Sequence, residues 1–164
     1  MGAMITFLEY VHLFENDSPV VLYHGGKSYV SKPSLKRTQQ TDRGMYGKGF
    51  YATTDAKAAS FYGPKVSQYE VLPDAKVLKS TYDPKLAEPS QVNDVISHHK
   101  NVNPSSSESD IEDIRTNHGS WSKALNAYAD HHKYDMIHLS QRHYDPEIVV
   151  KNPKALRYKG KFKK

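Results

Sequence analysis

Four side chains in this chain have types and surroundings that can do chemistry: His24, Tyr51, Tyr62 and Glu147. His24 closes the apolar run Val20-Val-Leu-Tyr-His24 and precedes Gly25-Gly26. A neutral imidazole at such a strand end can hydrogen-bond a sugar hydroxyl, and Gly25, with no side chain, lets a ligand reach the backbone. Tyr51 and Tyr62 stand eleven residues apart, across a strand, a helix cap and a two-turn helix. Such a helix is about 10 Å long, so folding back over its strand brings both rings to one cleft. There they can sandwich a planar heterocycle. Glu147 opens the run Ile148-Val-Val150 after Pro146. A carboxylate entering a buried strand costs free energy unless it is paired or used. Beside a sugar it can hold a hydroxyl and stabilise the oxocarbenium-like charge that builds as a leaving group departs. Asp145 is its only near acidic neighbour, which does not make the carboxylate pair of an ordinary glycosidase. The four together suit a nucleotide with a planar leaving group.

Short elements must position these groups. Residues 20–24 read as a buried strand stopped by Gly25-Gly26, and residues 27–46, rich in Ser, Lys and Gln, as a loop. Residues 49–53 form the next strand. Asp55 is placed to cap a helix over 56–62 that Gly63-Pro64 ends. Alternation predicts a strand over 66–72 with Tyr69 and Val71 inward, and 75–78 adds another. A helix is expected over 88–99, a loop over 103–110, and a helix over 120–132 from the spacing of Trp121, Leu125 and Tyr128. Strands over 136–139, 148–151 and 155–158 complete the chain. The expectation is an α+β single domain over 4–164, with strands dominating and a few short helices. Residues 1–3 read as a cloning remnant before a native start at Met4.

The chain has 164 residues, 37% of them hydrophobic, and a mean hydropathy of −0.74, so a modest core lies under a strongly polar surface. No apolar run approaches a membrane span or reads as a signal peptide, which points to a cytoplasm, of the producer or of a target cell, and to no membrane partner. The absence of cysteine excludes disulfides, thiolate nucleophiles and Cys-based zinc sites. The net charge of +5 and pI near 9.2 are unevenly spread. Lys151, Lys154, Arg157, Lys159, Lys161, Lys163 and Lys164 follow one another without an acid, ending in a basic tail over about 159–164. A second group comprises Lys27, Lys32, Lys36, Arg37, Arg43 and Lys48. Such a field attracts phosphates.

In this order the motifs resemble the His-Tyr-Glu class of ADP-ribosyltransferases, which includes diphtheria-toxin-like toxins and poly-ADP-ribose polymerases. Members place a His-Gly on the first core strand, a Gly-x-Gly-(Ile/Phe)-Tyr strand before a helix ending in a second Tyr, and a Glu on a later strand. Leu22-Tyr-His24-Gly25, Gly47-Lys-Gly49-Phe-Tyr51 with Tyr62, and Pro146-Glu147-Ile-Val-Val150 match these positions. The resemblance spans about residues 20–158. It implies an ADP-ribosyltransferase-like fold of two packed, mainly antiparallel sheets around an NAD cleft, with NAD as co-substrate and no metal. By resemblance His24 binds the adenosine ribose, Gly25 the nicotinamide carboxamide, and Tyr51 and Tyr62 the nicotinamide ring. Arg43 joins the NAD-binding set, and Glu147 is catalytic together with Tyr51 and His24. The chain departs from the pattern at Ala59, where polymerase-type members often carry Ser, and at Gly26, where Ser or Thr usually follows His-Gly. Without long regulatory regions, the resemblance implies mono-ADP-ribosyl transfer by a monomeric bacterial or phage toxin, effector or defence enzyme. An antitoxin or immunity protein is the partner such an enzyme would have.

In this fold the loop before the catalytic Glu, here Ser140-Gln-Arg-His-Tyr-Asp-Pro146, commonly faces the acceptor. Arg142 can contact phosphate, Tyr144 can stack, and Asp145 or His143 can take a proton. With the basic tail, this puts RNA slightly ahead of a protein side chain as acceptor. A non-catalytic basic RNA-binding module would use the same aromatic and basic residues. A metal-dependent hydrolase would draw on His98-His99 and His131-His132. Adjacent helical residues point about 100° apart and neither pair has an Asp or Glu beside it at a convincing ligand spacing, so these read as surface histidines.

Overall fold

A computed structural model describes residues 19–35 and 49–163. Along the chain come β1 (Val21–Gly26), β2 (Phe50–Thr53), α1 (Ala56–Ser60), β3 (Lys65–Val71) and β4 (Val77–Thr81). Then follow α2 (Pro89–Val102), α3 (Glu108–Thr116), α4 (His118–His131), β5 (Met136–Ser140), β6 (Glu147–Val150) and β7 (Leu156–Lys161). The fold is α+β, with one seven-stranded sheet in the order β4-β5-β6-β2-β1-β3-β7. Every neighbouring pair is antiparallel except β4 and β5, whose parallel pairing requires the long crossover that α2, α3 and α4 supply.

The join between β2 and β1 decides where a cleft can open. Those strands meet at a single register pair, Tyr23 with Thr53, whereas β1 and β3 pair continuously from Val21 to Gly26. A half made of β4, β5, β6 and β2 therefore meets a half made of β1, β3 and β7 at one point. The two packed sheets implied by the resemblance are instead one continuous sheet, because Tyr23 and Thr53 still pair.

Side chains alternate across the sheet and build two cores. On one face Leu78, Ile137, Leu139 and Val149 pack against α2, α3 and α4 around Trp121 and Leu125. On the other, Leu22, Phe50, Tyr69, Met136, Ile148 and Val150 form the second cluster. Each large side chain buried in this way contributes roughly 1.5–3 kcal/mol. Trp121 is fully buried and donates its indole N–H to the Thr81 carbonyl at 3.1 Å.

Three elements differ from the sequence expectation. Helices are more than short accessories: α2 and α4 have fourteen residues each and α3 nine. Helix α3 begins inside the expected 103–110 loop, where Ser107 and Asp110 form a reciprocal capping box. The basic tail is not a tail from 159, since β7 runs to Lys161 along β3. Arg157 and Lys159 there both pair with Glu70, which neutralises part of the charge. None of the described helices is long and apolar enough to cross a membrane.

Candidate active site

Helix α1 starts as its sequence dictates: the Asp55 carboxylate accepts the Ala58 N–H at 3.0 Å. It then lies directly on β1. A Cβ on Gly25 would fall 1.8 Å from the Ala59 carbonyl oxygen, and one on Gly63 would fall 2.4 Å from the Gly26 backbone. Gly25 thus also meets a packing need that its sequence context did not indicate. The space a side chain would fill is taken by the helix backbone, although Gly25 still borders the cleft.

Beyond the Tyr23–Thr53 pair the strands part, and His24 spans the gap. Its Nδ1–H donates to the Tyr51 carbonyl at 2.7 Å, and its ring packs on Phe50 with centroids 4.4 Å apart. A carbonyl only accepts, so Nδ1 carries the hydrogen and Nε2 of the neutral ring is an acceptor. On β2, Tyr51 and Thr53 alternate with Phe50 and Ala52; on β6, Glu147 lies opposite Thr53 and Val149 opposite Tyr51. Tyr51, Thr53 and Glu147 therefore project from the helix-covered face, while His24 shares the face of Phe50. They meet because the sheet opens between β1 and β2.

The meeting place is a cleft of about 450 Å³ bordered by His24, Gly25, Tyr51, Tyr62, Tyr144 and Glu147, with Thr53, Phe61, Gln141 and Asp145. Of the site residues expected from sequence, His24, Gly25, Tyr51, Tyr62, Glu147, Tyr144 and Asp145 come together here. Arg142 is exposed and does not border the cleft; its neighbour Gln141 takes that place and donates to the Asp145 carbonyl at 3.4 Å. Arg43 lies outside the described residues. The two tyrosines differ. Tyr51 is half-buried against the helix-side core, whereas Tyr62 is 78% exposed at the rim, beside Phe61 at 81% and Tyr144 at 76%. Large exposed aromatics gathered on one rim mark a contact surface.

Two groups near Glu147 escaped the sequence reading. Tyr82, just after β4, has its phenol held above the ordinary range by burial first, then by the Glu147 carboxylate and by Tyr62. Its ring meets His118 edge-on at 5.7 Å. No sequence signal connects Tyr82 to Glu147, which lie far apart along the chain. Thr53 was within reach of an alternation argument, two residues after Tyr51 on the same strand.

Along β7 the surface is basic and aromatic. Lys65 and Lys161 both lie over the Tyr29 ring, at 5.4 and 4.8 Å, and Phe162 meets the cleft residue Tyr23 edge-on at 5.4 Å. The histidine pairs behave unequally: His131 and His132 are exposed as expected, but His98 is half-buried with its ring 4.7 Å from that of His131. Among the described residues, no three His, Asp or Glu side chains are grouped so as to hold a metal ion.

No protein-family model and no curated protein matches the chain. Among solved structures it is similar to a crystal structure of an anti-CRISPR protein, with a TM-score of 0.53 and 14% identity, over 89% of this chain and 97% of that one. At that identity the likeness extends to the fold alone.

Proposed function

We propose that the chain is a mono-ADP-ribosyltransferase that cleaves the nicotinamide–ribose bond of NAD and passes ADP-ribose to a macromolecular acceptor. One observation carries this reading: His24, Tyr51, Tyr62 and Glu147, contributed by separate elements, border a single cleft. Tyr51 and Tyr62 hold the nicotinamide ring between an inner and an outer phenol. The His24 Nε2 accepts a hydrogen bond from a hydroxyl of the ribose on the adenosine side. Glu147 holds the 2′-hydroxyl of the nicotinamide ribose, and its carboxylate stabilises positive charge on the sugar as the bond from the anomeric carbon to the pyridine nitrogen breaks. The electron pair leaves with neutral nicotinamide. A nucleophile of the acceptor then bonds to the anomeric carbon, and its proton passes to Asp145 or to water.

The rim aromatics Phe61 and Tyr144 and the lysines of β7 favour RNA over a protein side chain as acceptor. Similarity to an anti-CRISPR protein accords with an effector that acts in conflict between microbes and phages. The test is incubation with NAD labelled in its adenosine half and total cell lysate, followed by separate RNase and protease digestion. Label released by RNase is the expected result. Release by protease would overturn the RNA assignment and leave transfer standing, whereas unconsumed NAD and no label would overturn transfer itself.

A further inference from the structure

Four serines and threonines are buried among the described residues: Thr53, Ser67, Ser80 and Ser122. Three are bonded within the fold. Ser67 accepts from the Val30 N–H at 2.9 Å, Ser80 donates to the Gln91 side chain at 2.6 Å, and Ser122 donates to the Gly119 carbonyl at 2.9 Å. The Thr53 hydroxyl has no partner, although only 7% of the residue is exposed. A buried hydroxyl without a bond opposes folding, and nothing in the strand demands one, since valine has nearly the same shape and suits a strand as well. A burden of this kind persists where the group serves another state of the molecule.

The ladder says which group it serves. In register, Thr53 sits directly opposite Glu147, and on its far side Glu147 faces Leu139. Directly opposed residues of antiparallel strands share a face, with Cβ atoms about 4.5–5.5 Å apart. Both Thr53 and Glu147 border the cleft. Thr53 is therefore the polar cross-strand neighbour of the acid, and Leu139 offers it nothing but hydrocarbon. We propose that the Thr53 hydroxyl is a positioning group that donates to the Glu147 carboxylate while a nucleotide is bound. The bond fixes the acid against the sugar. This inference rests on the transferase reading of the same cleft.

Thr53→Val and Thr53→Ser in the whole chain test it, with NAD turnover, NAD affinity by calorimetry and thermal melting measured on each. T53V should melt at or above the wild-type temperature, because it removes an unsatisfied group. Its kcat should nevertheless fall about 10- to 100-fold, with NAD affinity within about threefold of wild type, as expected for a group that acts when charge develops. T53S should restore kcat to within about threefold. A T53V enzyme within twofold of wild type overturns the inference, as does a kcat loss that accompanies a lowered melting temperature or that T53S does not rescue. Wild-type protein that leaves NAD intact removes the transferase reading, and with it this inference, before any variant is compared.

Discussion

Gly25→Ala should damage both the fold and the cleft, and the reason is visible in one contact. The added methyl would stand 1.8 Å from the Ala59 carbonyl oxygen, 2.7 Å from its carbon and 3.2 Å from the Gly63 carbonyl oxygen. All three are backbone atoms of α1 or its exit, so no side chain can swing aside. Real Cβ contacts stay beyond 3.0 Å, so α1 must move off β1 by more than an ångström. Overpacking of this kind costs about 1–3 kcal/mol and sometimes more. Replacing a glycine returns about 0.4–1 kcal/mol through the unfolded chain. A net loss of about 1–2 kcal/mol in a domain of this size lowers the melting temperature by about 2–8 °C. Because Tyr62 lies two residues beyond α1, the transferase reading adds that its displacement weakens NAD binding. The adjacent glycine is the control: a Cβ on Gly26 would meet only the His24 Nε2 at 3.5 Å and the Ser28 carbonyl at 3.6 Å, ordinary contacts. Melting followed by circular dichroism should therefore separate G25A from G26A. A G25A protein melting within about 2 °C of wild type would refute the argument.

Two further predictions concern stability. Ser107→Ala removes one half of the α3 capping box and should cost about 1 kcal/mol, lowering the melting temperature by about 2–4 °C in a thermal scan. The second concerns acid. Burial first, and then His131, His132 and His99, hold the His98 imidazole below its ordinary 6.5. Burial and then Lys79 do the same for His138, whose Nδ1 is buried without a partner. The folded chain therefore binds fewer protons than the unfolded chain just below pH 6.5, so stability is full above that value and falls as the pH drops through the window beneath it. Melting temperatures measured between about pH 7.5 and 5 should show this decline, and H98Q should make it shallower.

The parts of the site that lie close together in sequence could be read from it. Asp55, the small residues of α1 and Gly63-Pro64 specify a capped helix locally, and the eleven-residue spacing carries Tyr51 and Tyr62 to one cleft. The apolar runs ending in His24 and beginning at Glu147 likewise announced β1 and β6. What stayed hidden depends on pairing between distant segments. The single Tyr23–Thr53 pair that opens the sheet, and the register that sets Thr53 opposite Glu147, have no local signature. Helix α3 was obscured differently: Ser and Asp at 105–110 favour turns by composition, and only their spacing as a capping box reveals a helix start. Gly25 shows a third kind of gap, since nothing local in the sequence announced that the backbone of α1 packs against it.

The most telling experiment is Glu147→Gln, which keeps the shape of the side chain and removes its charge. NAD consumption and NAD affinity should be measured on both proteins. The transferase reading predicts that E147Q binds NAD within about threefold of wild type and consumes it at least about 10³-fold more slowly, because the lost group acts on charge that exists only as nicotinamide leaves. A glutamine variant that consumes NAD within tenfold of the wild-type rate would contradict it.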